Sequence, residues 1–379
     1  MRIAIITPTT FPSCLPYDSH VSTYGSEWVG SSTIKYFLDL GPKDYTFEFY
    51  APIGSTNFAD EERVTFHPLK NTYGQHPPNS DDRLEEVCFE HGTKSEDLLK
   101  CDFVIDMSKF CCSIEDLYYY NKFRKFVLLR SGHRDHNYPF RILTPADRHY
   151  VVHNKYYIET FAQGGYPTDY VHHGIDPFWC PGDSPEHWRL FEDKGLTKKG
   201  YHLYAHRPNP EKGLGRVVDL AIAFPSETFV VSTSANLSDH RANINVMLKG
   251  IADHGIKNLL YIPCPTNNQY HYYRRELLRH CKSSLCIWLT DTFYVDMIGY
   301  IGLESLACGA PLIASKAAGS LSILGEEAHK KSVLYIDSME SCKYAVEHFN
   351  SYDLNGELPS GWAPQDTVNK YMELIKKYS

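Results

Sequence analysis

Short apolar runs recur along the chain, and between them apolar positions return every third or fourth residue. One series of runs is Arg2–Ile6, Thr46–Ala51, Phe103–Asp106, Phe126–Leu129 and His149–Val152. A second series is His202–Ala205, Thr228–Ser232, Asn258–Ile262, Leu285–Leu289, Leu312–Ser315 and Val333–Ile336. Helical periodicity occupies gaps between them at Glu27–Asp39, Leu214–Phe224, Tyr272–Cys281 and Asp366–Lys377. Strands alternating with helices predict parallel sheets covered by helices. Two series predict two doubly wound domains, over residues 1–176 and 177–361. The stretch Asp176–Lys199 reads as their boundary, because Pro177, Pro181, Gly182, Asp183, Ser184 and Pro185 form a cluster of breakers. Trp179 and Trp188 are placed to anchor this linker. Gly356, Pro359, Gly361 and Pro364 punctuate the tail before a final helix.

Three segments carry candidate chemistry. In Asp296–Ser315 the composition predicts a helix over Tyr300–Cys308 that starts after Gly299 and stops at Gly309. Pro311 prevents its continuation, and Leu312–Ser315 then reads as a buried strand. Backbone N–H groups at the helix start suit a phosphate or hydroxyl. Glu304 interrupts the apolar face, and a buried carboxylate needs a partner. A ligand hydroxyl or a salt bridge would each serve. In His206–Gly213, Arg207 and Lys212 lie between a strand and a helix. They supply a planar fork of donors and a compact charge, or else two solvated loop cations. In Tyr24–Trp28, Gly25 precedes a helix, where a backbone can approach an anion or simply turn.

These segments resemble the retaining nucleotide-sugar glycosyltransferases of family 4, which have the GT-B fold. Asp296 and Glu304 resemble that family's acid-x7-acid signature, with Asp296 where Glu is usual. His206–Gly213 resembles its G-R-L-x-x-x-K-G motif with the same Arg-to-Lys step, His206 replacing glycine and Pro208 an aliphatic residue. Tyr24–Trp28 resembles its Gly-Gly-x-Glu entry, only Gly25 carrying over. Tyr170–Asp176 resembles its V-I-x-N-G-V-D, with His173 for Asn, and Ala146-Asp147-Arg148 its A-D-R step.

The resemblance implies an α/β GT-B architecture of two Rossmann-like domains facing a central cleft. A C-terminal helix, residues 362–379, crosses back to the N-terminal domain. It implies retaining transfer of a hexosyl group from a UDP- or GDP-sugar to a hydroxyl of a glycan or other acceptor, which enters from the N-terminal side. Arg207 and Lys212 are then expected to hold the diphosphate, Glu304 the ribose and Asp296 the sugar hydroxyls. Gly25, Gly299 and the backbone at Tyr300 and Ile301 complete the anion site. His133 is expected by its position to meet the donor sugar, and Asp106, ending a strand, to face the acceptor. No metal and no cofactor beyond the donor are expected.

The remaining features narrow the choice. A net charge of −8 argues against a general nucleic-acid binder. No run approaches the roughly 20 apolar residues of a membrane span, although a lipid acceptor and peripheral membrane contact stay open. The opening residues, Met1–Ile6, are expected to be a strand rather than a leader. Eleven scattered cysteines without CxxC fit a reducing, cytoplasmic setting. Thr7–Pro12 lacks G-x-G-x-x-G, which weakens a dehydrogenase reading. Three other readings stand beside the transferase: a sugar-nucleotide epimerase, a non-catalytic nucleotide-sugar binder, and a metal-dependent hydrolase built on His133, Asp135 and His136.

Overall fold

The computed structural model describes residues 1–7, 13–15, 25–69, 100–107, 126–129, 149–155, 158–159, 168–233, 238–265, 269–287, 299–316, 324–325 and 331–378. Among these, one compact unit holds the chain up to Gly174 together with the chain from Gly361, and a second holds Ile175–Ser360. The elements of the first stretch are β1 (Arg2–Ile6), α1 (Gly25–Leu40), β2 (Thr46–Pro52), β3 (Val64–Leu69), β4 (Phe103–Asp106), β5 (Phe126–Leu129), β6 (His149–Val152) and β7 (Thr168–Tyr170). The second unit follows with α2 (Pro185–Glu192), β8 (Tyr201–Tyr204), α3 (Leu214–Ala223), β9 (Thr228–Val231), α4 (Ser238–Asp253) and β10 (Leu259–Tyr261). It continues with α5 (Tyr270–His280), β11 (Ser283–Cys286), α6 (Tyr300–Ala307), β12 (Leu312–Ser315), β13 (Val333–Ile336) and α7 (Met339–Glu347). The last helix, α8 (Pro364–Tyr378), returns to the first unit.

Each unit is built on one parallel sheet. The first runs β3-β2-β1-β4-β5-β6-β7 and the second β10-β9-β8-β11-β12-β13. Every paired strand is parallel to its neighbour. Parallel strands need crossovers that cover the faces, so their residues are apolar on both sides. Ile3, Ala4 and Ile5 of β1, and Leu312, Ile313 and Ala314 of β12, are fully buried. In the second unit, Leu214, Val217, Leu220 and Ala221 of α3 lie in one core with Phe229, Leu285 and Ile313.

The amphipathic helix α8 buries Val368, Tyr371, Leu374 and Ile375. Tyr371 lies against Phe37 of α1, ring centroids 6.1 Å apart. The Thr367 hydroxyl accepts from the Gly174 N–H at 2.6 Å and donates to the His172 carbonyl at 3.1 Å. At the far end Asp169 takes Lys377 at 2.8 Å and the Tyr378 hydroxyl at 2.5 Å.

Three features depart from the sequence expectation. The stretch 176–199 is not a bare linker: it contains α2, with Pro185 in the first turn and Trp188 and Phe191 buried. A proline there loses only an N–H that has no intrahelical partner. Strands β3 and β7 are additional, β3 pairing with β2 through Val64–Leu69 and β7 having three residues. Strand β11 begins at Ser283 and ends at Cys286, so the expected run Leu285–Leu289 is shifted toward the N-terminus.

Candidate functional site

In an open parallel sheet, ligands collect beyond the carboxyl ends of the strands where the strand order reverses. That point lies between β1 and β4 in the first sheet and between β8 and β11 in the second. At the first, Asp106 closes β4 opposite Ile6, and Gly25 is the first residue of α1. The second assembles more of the expected residues.

Strand β8 leaves the sheet at Tyr204, and His206 and Arg207 follow at once. The Tyr204 hydroxyl donates to the Arg207 carbonyl at 2.9 Å. Pro210–Lys212 then forms one 3-10 turn, and Gly213 both ends it and starts α3. Gly213 has φ 83°, and a Cβ built there would stand 2.5 Å from the Ile287 carbonyl oxygen. Only glycine lets this turn seat against the end of β11. The turn in turn buries the Lys212 side chain, while Arg207 is exposed.

His206 shows what surrounds it. Its imidazole is buried, and a hydrogen bond with the Leu285 backbone holds the ring. Burial pushes its pKa well below the usual histidine value, and the charges of Lys212, Arg274 and Arg207 add to the effect. A neutral ring therefore stands among three cations at the carboxyl end of β8 (the third, Arg274, comes from α5). Such a cluster stabilises negative charge, and a diphosphate is the ligand chemistry that suits it.

Gly299 caps α6 in the left-handed region, φ 60° and ψ 37°. The N–H groups of Gly302 and Leu303 both turn back to the Gly299 carbonyl, at 2.9 and 3.3 Å. The N–H groups of Tyr300 and Ile301 precede these in the first turn of the helix. Gly309, at φ 83°, and Pro311 end the helix as the sequence predicts, and β12 follows.

Glu304 is buried in α6, and the Arg274 guanidinium donates from Nη2 to its Oε2. The salt-bridge alternative left open by the sequence is thus what the structure shows. Desolvation raises the Glu304 pKa to about 7, and Arg274 opposes the rise without cancelling it. Arg274 lies 4.9 Å from the Trp179 ring centroid and 5.4 Å from that of Tyr270. Sequence reasoning does not single out Arg274, since its partner lies on another helix. The one local signal is the Tyr270–Arg274 spacing, four residues apart on a helix.

Asp296, His133, Asp135 and His136 lie outside the described residues, so their positions play no part in this geometry. Among the described residues one group has metal-ligand chemistry: Asp183, Glu276 and His280, whose ligand atoms lie within 4.8 Å of one another. Cations already hold both carboxylates. Lys198 reaches Asp183 at 2.5 Å and Arg279 reaches Glu276 at 2.7 Å. The group is an ion-pair network that ties residues 180–184 to α5. No described helix is long and apolar enough to cross a membrane.

No protein-family model matches the sequence, and no curated protein matches it at the sequence level. Solved structures match over the whole chain. Anabaena HepE, crystallised with UDP and glucose, superposes with a TM-score of 0.70 at 13% identity, covering 100% of both chains. A glycosyltransferase from Rickettsia africae gives 0.69 at 12% identity, covering 100% of this chain and 98% of its own. Sucrose-phosphate synthase from Thermosynechococcus elongatus gives 0.66 at 12%, covering 100% and 94%. The chain therefore has the α/β GT-B fold.

Proposed function

We propose that this chain is a glycosyltransferase of family 4 type, which moves a hexosyl group from a nucleoside-diphosphate sugar to an acceptor hydroxyl with retention of configuration. The observation that carries this reading is the gathering of Arg207, Lys212 and Arg274 around neutral His206, at the strand-order reversal of the second sheet. The UDP in the HepE structure supports a UDP-sugar as first choice of donor, with a GDP-sugar the next.

In this reading Arg207 and Lys212 hold the diphosphate, with Gly299 and the N–H groups of Tyr300 and Ile301 beside it. Glu304 bonds the ribose. Asp296 bonds sugar hydroxyls, and His133 meets the sugar. The bond from the anomeric carbon to the diphosphate breaks while the acceptor oxygen attacks from the same face. A diphosphate oxygen takes the acceptor's proton, so no protein base is required. Arg207 and Lys212 stabilise the charge that builds on the leaving diphosphate, and this electrostatic role is worth most where water is scarce. The acceptor is a glycan or another hydroxyl compound, the setting is the cytoplasm, and no metal is needed.

The test is a thermal-stability titration of the purified chain with UDP-, GDP-, ADP- and dTDP-sugars, with and without added metal. A ligand present at 100 times its dissociation constant adds about 2.7 kcal/mol of stability. The expected result is stabilisation by one nucleotide family, lost in Arg207→Ala and Glu304→Ala. No stabilisation by any donor overturns the reading. Donor consumption without an acceptor turns it toward an epimerase, and binding without transfer across an acceptor panel toward a binding protein. Activity abolished by a chelator turns it toward the hydrolase.

A further inference from the structure

We infer that Arg274 is the positioning residue for Glu304: it fixes one carboxylate oxygen so that the other faces the donor's ribose. This rests on the donor-site reading above. Glu304 is buried on α6, and its Oε2 is taken by the Arg274 Nη2. Among the described residues Oε1 has no hydrogen-bond partner. A carboxylate with one oxygen pinned presents the other in a single orientation, which is what two neighbouring ribose hydroxyls need.

The guanidinium is itself held. It lies over the Trp179 and Tyr270 rings, and the Tyr270 hydroxyl is 3.4 Å from Nη1. Trp179 is buried in the segment before α2, Tyr270 begins α5, and Glu304 lies on α6. Three separate segments thus converge on one side chain whose charge also reaches His206. Arg274 links the ribose carboxylate to the cation cluster. A planar fork does this, and a lysine would not reproduce it.

The electrostatics give the inference a readout. Among the described groups around the pair, His206 and His271 are held neutral by burial, Tyr270 is pushed up to about 12, and Cys264 and Cys308 are also raised by burial. Glu304, at about 7, is left as the group that titrates near neutrality. If its charged form binds the ribose, donor affinity rises with pH toward 7 and levels off above it. Removing Arg274 moves that rise to higher pH, because desolvation then acts unopposed.

The experiment measures the dissociation constant of UDP-glucose, or of whichever donor the panel selects, between pH 6 and 9. A nucleotide sugar is the right probe, because its diphosphate has no secondary ionisation in that range. The proteins are the wild type, Arg274→Met, Arg274→Lys, Glu304→Gln and the Arg274→Met/Glu304→Gln double variant, each checked for folding by circular dichroism. The expected wild-type constant worsens by up to ~10-fold for each pH unit below 7. Glu304→Gln flattens the profile. Arg274→Met weakens binding by at least ~10-fold at pH 7 and recovers in part at higher pH; in the Glu304→Gln background a smaller loss remains, from the missing cation, and it no longer varies with pH. Should Arg274→Met fail to fold, Arg274→Lys and the wild-type and Glu304→Gln profiles decide. A pH-independent loss in Arg274→Lys, or a flat wild-type profile, overturns the inference and leaves the donor site standing. Failure of every donor to bind the wild type overturns both.

Discussion

Two glycines at the start of α3 should respond oppositely to alanine. At Gly213 the backbone is left-handed, φ 83° and ψ 21°. Alanine there costs about 1–2 kcal/mol in conformation alone. The new Cβ would also sit 2.5 Å from the Ile287 carbonyl oxygen and 3.3 Å from Ile287 Cγ1. Relieving that overlap moves the turn or the end of β11, a displacement that costs about 1–3 kcal/mol. The sum is ~2–5 kcal/mol. Gly215, two residues on, is helical and has nothing within 4 Å of a built Cβ. Alanine there should be neutral or stabilise by up to ~1 kcal/mol. Hydrogen exchange of peptides from α3 and β11 reads the second unit alone, so the two-unit chain does not blur the result. Gly213→Ala should also weaken donor binding, since the turn carries Lys212. Both variants shifting stability in one direction, or Gly213→Ala costing under ~1 kcal/mol, would refute the seating of this turn against β11.

Other outcomes follow from the same geometry. Thr367→Ala strands the Gly174 N–H and should destabilise the first unit by about 1–3 kcal/mol, measured by urea unfolding; Lys377→Ala, which removes one partly exposed ion pair, should cost at most ~1 kcal/mol. Tyr371→Phe, which keeps the ring against Phe37, should change stability far less than Tyr371→Ala, at roughly 3–5 kcal/mol. The His153 Nδ1–H donates to the Val171 carbonyl, 2.5 Å away, and burial lowers its pKa to about 4. Unfolded, the ring takes a proton more readily, so its stabilisation is complete above about 6.5 and lost as pH falls toward 4. Thermal melts across pH 4–7 should therefore be steeper for wild type than for His153→Gln, and equal slopes would remove His153 as the cause.

The sequence shows some of this architecture because certain residues act alone. Gly309 and Pro311 end a helix whatever packs around them, and α6 stops there. Arg207 and Lys212 stand where the pattern puts them, between a buried strand and a helix. Pro185 shows the limit: next to Gly182 and Pro181 it reads as a breaker, yet at a helix start it is a good residue, and α2 begins with it. Strand β3 is hidden by Pro68, tolerable because β3 is the outermost strand of its sheet. Arg274 is hidden for another reason. Its meaning lies in partners at 179, 270 and 304, and no local pattern joins them.

The return of α8 to the first unit bears on how the protein is made. A ribosome adds about 5–20 residues per second. The stretch Ile175–Ser360 of the second unit therefore emerges over roughly 10–40 s while the first still lacks its last helix. During that interval Phe37 and the neighbouring face of α1 have no Tyr371 to cover them. The first unit to be translated is the last to be finished, and a chain released early would display that apolar face.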